Sequence, residues 1–481
     1  EGRPIHIEGN KNATLTRGGV SARVNSSVLS LYNTKRYQAP MMNGVASDWA
    51  AVDGAVSTVL NGVKANGGNV RILSSTIISP SSEKLIAEMG DWLGSAHSVA
   101  EDVEGQVSAE TTFNHVTYDA VSASGIRSAH SKTHGKEVIP HYHFEKAKSV
   151  VSVGADFLVN WINPLSNASG YGKMRNPGTG MSRHFQFETT LSVTGSSADV
   201  RGAIKPSEQG VVTGMIYNEV ARLAGAASAG TMSLASDDNG IASKVTEAAK
   251  SLWANKGTSI FVCGSNDPSI QSLANGINQL LGNYGSTLDI ENGVNLRKGS
   301  DQAVAQLVSE LNAGLVDALL IIDCDPAYSM PGSWGFVDAM SKAKSTIAFA
   351  EKPDATSALC GIVCATGHYL EHWNDANPVG SQVSFTQPAI RPIYPTRQWQ
   401  DSFLTWMGSE GSYYDYLKTE WNDTVSAEED PSVIFASRWN KYIHDGLGEM
   451  PMMATSDDTT PASIEYNEAA VISAADRKSV V

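Results

Sequence analysis

Cysteine is scarce in this 481-residue chain: only Cys263, Cys324, Cys360 and Cys364 are present, and nothing before position 263 carries a thiol. No two of them have the C-x-x-C spacing, and they do not form the spaced set of four that an iron–sulfur cluster requires, so neither such a cluster nor a c-type haem is encoded here. Long apolar runs are also missing. The stretch Val316-Asp-Ala-Leu-Leu-Ile-Ile322 is strand-length and interrupted by Asp317, well short of the roughly 18–20 residues of a membrane-spanning helix. Runs of Lys or Arg are absent too, and 35 Lys+Arg against 50 Asp+Glu leave a net charge of −15. That balance repels phosphate backbones and anionic headgroups, which speaks against nucleic acid as a partner. Several motifs are missing as well: G-x-G-x-x-G, the P-loop lysine, H-E-x-x-H and the G-x-S-x-G elbow.

What remains is the composition of a folded protein, with 41% hydrophobic and 18% charged residues. At roughly 100–200 residues per domain, the length implies about two to four domains. The chain opens at Glu1 without a charged, apolar, small-residue leader, so any export signal is expected to have been removed or to lie outside this stretch. Residues 3–10 alternate like a short strand, and 1–45 as a whole read as irregular. From Ser47, the expected N-cap, Trp49, Val52, Val56, Val59, Leu60 and Val63 recur at helical spacing until Gly67-Gly68. A strand follows at Asn69–Ser74, and then a helix containing Lys84, Leu85, Ile86 and Met89. The same strand-to-helix pattern returns at Ala147–Asp156, at Thr258–Cys263 with a helix from Pro268, and at Asp317–Asp323. Such alternation predicts an α/β fold with mostly parallel sheets, because parallel neighbours need a crossover and the crossover is usually helical. The segments 223–235 and 452–463 read as a helix-to-loop stretch and a polar linker.

Candidate chemistry is sparse. Cys263-Gly-Ser-Asn-Asp-Pro268 joins a strand to a helix whose N-terminus could hold a phosphate, but it reads first as a turn closed by an Asp or Asn cap. Asp323-Cys-Asp-Pro-Ala-Tyr328 is a second strand-end loop, and Asp323 and Asp325 disfavour an anion there. Histidines gather at His115, His130, His134, His141 and His143; His130 and His134 have helical chelating spacing but lack the following Glu, so solvent or interface histidines are the simpler reading. Cys360 and Cys364 are expected to pack as small hydrophobes rather than as a metal pair. Tyr369, Glu371, His372, Asn374 and Asp375 form a polar, aromatic cluster suited to acid–base work, without a nucleophile beside it.

Beyond these local features, segments along nearly the whole chain resemble the B subunit family of alternative complex III, a membrane-bound quinol:electron acceptor oxidoreductase. They are 1–10, Gly18–Arg23 with Ser27–Tyr32, Val116–Ala120, Val151–Phe157, Lys205–Glu208, Thr356–Leu359, Gly367–Glu371 and Gln387–Pro392. The resemblance implies a molybdopterin-oxidoreductase-like fold of two Rossmann-like parallel-sheet domains, one inserted in the other. By that plan 1–45 is an irregular opening, 46–117 and 251–395 form a split domain around an inserted domain at 118–250, and 396–481 is a tail wrapping outward. The tail's Trp399, Trp406, Tyr413, Tyr414, Tyr416 and Trp421 would serve either subunit contacts or core packing.

Active members of the wider superfamily hold a 4Fe-4S cluster on N-terminal cysteines and ligate molybdenum through a Cys, selenocysteine, Ser or Asp. The cluster ligands are missing here, and Ser122 and Ser124, near where a ligand would fall after Tyr118-Asp119, are expected to be surface serines, with replacement of the thiolate as the alternative. The resemblance therefore implies a cofactor-less structural half, with no catalytic, cofactor-binding or metal-binding residue of its own, on the periplasmic side of a bacterial inner membrane. Iron–sulfur clusters would reside in the ferredoxin-like half that follows this region in the family, and haem c in partner subunits. The expected partners are that iron–sulfur domain, a multihaem cytochrome c subunit and quinol-binding integral membrane subunits. The alternative is an active molybdenum oxidoreductase of the polysulfide or thiosulfate reductase type.

Overall fold

The computed structural model describes residues 2–94, 111–237, 239–426 and 435–450, together with 467 and 469. They belong to two units, the first built from Glu1–Ile7, Ala22–Ser122 and Lys298–Met452, the second from Glu8–Ser21, Ala123–Arg297 and Met453–Val481.

The first unit is organised on a seven-stranded sheet in the order Val45–Ala46, Met41–Met42, Ile362–Ala365, Ser345–Ala350, Ala318–Ile322, Gly68–Ser74, Thr111–Thr117. From Ile362–Ala365 to Thr111–Thr117 all neighbours are parallel, and the short hairpin at the other edge is antiparallel. Strand alternation divides the apolar residues between two faces. Val70, Ile72, Leu320, Ile347 and Phe349 pack on one side, under the helices Trp49–Asn66, Pro80–Gly94 and Trp399–Trp406. Leu73, Leu319, Ile321 and Ala348 pack on the other, under Asp301–Asn312 and Phe336–Met340. Because both faces are covered, the central strand Ala318–Ile322 has no polar side and reads as a continuous apolar run. The helix Trp49–Asn66 begins one residue later than expected: Asp48, not Ser47, caps it by accepting the Ala51 N–H at 2.8 Å.

The second unit carries a four-stranded parallel sheet in the order Val200–Ala203, Arg183–Glu188, Ser149–Val153, Ser259–Cys263. Val151, Val153, Phe185, Phe187 and Phe261 form its core with the helices Gln209–Ala224, Ile241–Ala254 and Pro268–Leu280.

Three expectations about organisation are corrected. The opening 1–45 is not irregular throughout, since Ala22–Leu31 is a helix and Met41–Met42 joins the first sheet. Residues 251–297 belong to the second unit, because Ser259–Cys263 pairs with Ser149–Val153. Local periodicity identifies a strand but not its neighbour, and the neighbour decides the unit. Residues 396–426 are no outward tail, since Trp399, Trp406, Tyr413 and Trp421 are buried in the first unit; most of the expected tail beyond 450 lies outside the described residues. Trp421 and Trp439 also support a small antiparallel sheet of Asn374–Val379, Gln382–Thr386 and Leu447–Glu449. The expected linker at 452–463 lies outside the described residues.

Candidate functional site at the carboxyl ends of the strands

Strand order in the first sheet reverses between Gly68–Ser74 and Ala318–Ile322. Open α/β sheets place ligands beyond the carboxyl ends of the strands at such a point. Asp323, directly after its strand, adopts φ 51, a left-handed conformation uncommon for a residue other than glycine. Asp323, Glu351, Tyr369, His372, Asn374 and Trp399 help line a cavity of about 290 Å³. Asp323 keeps contact with solvent, yet it sits in a protein-walled recess. Desolvation there, followed by repulsion from Glu351, pushes its carboxyl up to about 6. Desolvation also holds His372 neutral, down to about 4. Gly367 is required behind this wall, since a Cβ there would lie 2.5 Å from His372 Nε2.

Behind the cavity, Arg36 is buried and forms a two-pronged pair with Glu371, Nη1 to Oε1 at 3.3 Å and Nη2 to Oε2 at 2.5 Å. Its Nε lies 3.3 Å from Glu351 Oε1. Glu371 also accepts the main-chain N–H groups of His368 at 2.7 Å and Ile393 at 2.8 Å. Burial opposes its charge, but these donors hold its carboxyl below the usual range. Neither Arg36 nor Glu351 is marked by any local motif, and their partners are distant in sequence.

The polar cluster expected from 369 to 375 is thus divided. Tyr369, His372 and Asn374 reach the cavity, whereas Glu371 is a salt-bridge partner and Asp375 is a core acceptor of Ser79, Ser81 and the Trp421 indole. Asp325 accepts from Thr356 through both its N–H and its hydroxyl, at 3.0 and 2.6 Å. The histidines form pairs rather than one cluster: His130 stacks on His134 with ring centroids 5.5 Å apart, both buried and not, as expected, facing solvent, and the His141 ring lies 4.5 Å from that of His143. His115 pairs with Ser74 in the first unit. In the second, His130 bonds Tyr284 and the Ile126 carbonyl, and His143 bonds Glu145. Among the described residues no group of three or more His, Cys, Asp or Glu is placed to hold a metal ion. Cys360 and Cys364 pack on opposite faces of the first sheet rather than as a pair. Burial pushes the Cys360 thiol up to about 12 and raises Cys364 also, so neither is a thiolate near neutrality. Ser122 closes the first unit, and Ser124 opens the helix Ser124–His134 of the second. The cavity can therefore accept protons and hydrogen bonds, and no activated nucleophile lines it.

The second sheet reverses order between Ser149–Val153 and Ser259–Cys263. There Gly264 N–H donates to Val153 O at 2.8 Å, and a Cβ on Gly264 would collide with the Gly154 carbonyl. The loop 263–268 closes on itself: Asp267 accepts Ser269 N–H at 2.7 Å and caps the helix Pro268–Leu280. Nearby cations are already paired, Arg201 with Glu188 at 2.6 Å and Lys205 with Glu208 at 3.7 Å.

A strand order that reverses in each of two parallel sheets is the doubly wound α/β arrangement, which molybdopterin oxidoreductases share with other folds. The chain matches acetylene hydratase from Pelobacter acetylenicus with a TM-score of 0.65 and 10% identity, over 91% of this chain and 70% of that one, and it has the molybdopterin-oxidoreductase fold. It is also 23% identical over 468 residues to the menaquinone reductase, molybdopterin-binding-like subunit of Nitratidesulfovibrio vulgaris, covering 87% of this chain. The alignment spans 64% of that relative's length. No family model matches the chain. Molybdopterin carries phosphate, whose site needs unpaired cations or free helix N–H groups. The cations named above are paired, carboxylates line the first cavity and Asp267 caps the helix Pro268–Leu280, which disfavours such a group at these places; the helix Gln209–Ala224 starts without a side-chain cap.

Proposed function

We propose that this chain is a structural subunit of a membrane-associated, quinone-linked respiratory oxidoreductase, retaining the molybdopterin-oxidoreductase fold without pterin, molybdenum or iron–sulfur cofactor. The observation that carries the proposal is the state of the two switch points: one is closed by glycine main chain and an Asp cap, the other is lined by acids. The relative's description as a molybdopterin-binding-like subunit of a menaquinone reductase supports the quinone link. The segment resemblance supports the narrower assignment to the B subunit of alternative complex III, on the periplasmic face of an inner membrane. Its neighbours there would be a ferredoxin-like iron–sulfur domain, a multihaem cytochrome c subunit and quinol-binding membrane subunits. No described helix is long and apolar enough to cross a membrane.

Metal analysis and pterin fluorescence on the complex isolated from membranes test this reading. The expected result is haem and iron–sulfur iron co-purifying with the chain, with molybdenum and pterin absent. Molybdenum near one per chain would overturn it in favour of an active molybdenum oxidoreductase, with Ser122 and Ser124 the first positions to mutate.

A further inference from the structure

A second, larger cavity of about 540 Å³ shares the wall formed by His372 and Trp373 with the Asp323 cavity. Its rim is the proline-rich stretch 387–397, which is held by main-chain bonds: Ala389 N–H to Leu370 O at 2.7 Å and Arg397 N–H to Ala365 O at 3.1 Å. The bond from Ile393 N–H to Glu371 Oε1 fixes the middle of the loop.

The polar groups around this space are unevenly satisfied. Arg397 is held by both oxygens of Asp53 and lies over the Trp49 ring. Glu371 is fully engaged by Arg36 and two N–H groups, and Asp401 accepts the Tyr413 N–H at 2.6 Å. Two donors are left over. Gln398 is 7% exposed and its Nε2 meets no acceptor, a penalty that a bound acceptor would remove. Arg391 is exposed on the same lining, and among the described residues its guanidinium has no hydrogen-bond or ion-pair partner. Pro388, Ile390, Pro392 and Trp373 supply apolar wall between them. One free guanidinium and one amide donor suit a singly charged, planar acceptor.

We propose that this cavity binds a carboxylate carried on a short apolar stem, with Arg391 pairing the charge, Gln398 donating to one oxygen and Trp373, Pro388 and Ile390 covering the stem. Titrating the full chain with hexanoate, followed by calorimetry and tryptophan fluorescence, tests it against hexan-1-ol and hexylammonium as matched controls. Hexanoate is expected to saturate and to bind at least about tenfold tighter than the alcohol, with no hexylammonium binding. Arg391→Gln, at an exposed position, should weaken hexanoate about tenfold and leave hexan-1-ol unchanged, and Gln398→Leu should also weaken it. Equal affinity for acid and alcohol, or hexanoate binding unaltered by Arg391→Gln, would overturn the proposal. An acetylated Leu-Leu-Glu amide peptide separates the sources of the group. Binding of peptide and hexanoate together supports a partner polypeptide's side chain, binding of hexanoate alone supports a free organic acid, and binding of neither sinks the idea.

Discussion

The two parallel sheets share a topological device and use it in opposite ways. Each reverses strand order at one point, where loops diverge and a crevice can form. In the first unit the strand-end residues are large and polar, Asp323, Glu351 and Thr366, and a cavity stands among them. In the second, the two strands at the reversal are followed by Gly154 and Gly264, whose main chains meet, where the first sheet has Ser75 and Asp323. The same topology therefore gives an open edge or a sealed one according to the one or two residues that follow each strand.

The largest effect is expected where the open edge depends on a buried charge. Arg36→Met leaves the buried Glu371 carboxylate without its cation, and should cost about 3–5 kcal/mol. Hydrogen exchange should place the loss in the first sheet; unaltered protection there would show that the open edge is not held by this pair. Gly264→Ala tests the sealed edge. Forcing a methyl against the Gly154 carbonyl should cost up to about 3 kcal/mol in denaturant unfolding, and a neutral outcome would mean that the two main chains do not touch.

Acid sharpens the contrast further. His184 is buried in the second unit, bonded to Tyr171 and Gln186, and desolvation lowers it from 6.5 to about 4. Between those values the unfolded chain binds the extra proton, so stability present above pH 6.5 is lost as pH falls toward 4. The loss at pH 5 is about 2 kcal/mol from this residue. In the first unit Asp323 acts with the opposite sign. Its carboxyl is raised to about 6, so the folded state holds the extra proton between about 4 and 6, and stability declines as pH rises through that window. Urea midpoints at pH 5 and 7 for His184→Asn and Asp323→Asn should show the two slopes flattening in opposite directions. The smallest effect is Asp267→Ala, about 1 kcal/mol for a lost helix cap, measured by thermal unfolding; no loss would argue that the loop 263–268 is not self-capped.

Much of the fold was legible because it is written in local periods. The apolar run at 317–323 and the spacing from Trp49 to Val63 each named an element to within a residue or two, since a strand covered on both faces and an amphipathic helix leave distinct patterns. Strand neighbours were not legible, and so residues 251–297 were expected in the wrong unit. The aromatic-rich segment from 396 read equally as interface or core, because aromatics serve both and only burial decides. The candidate site was half legible. Tyr369, His372, Asn374 and Asp323 stand in dense polar stretches or at the end of an apolar run. Arg36, however, meets Glu371 across 335 residues, and nothing near either residue announces the other.

That kind of separation has a consequence for biosynthesis. Gly68–Ser74, at the interior of the first sheet, pairs with Ala318–Ile322, and the Asn69 N–H finds its acceptor on Asp317, 248 residues further along the chain. As the polypeptide leaves the ribosome, this apolar strand emerges early and must wait, with one long flank unpaired, while the whole sheet of the second unit is synthesised and can close first. The second sheet's partners lie closer along the chain, Ser149 pairing with Ser259, which favours it in any race, and the waiting strand stays exposed to aggregation meanwhile.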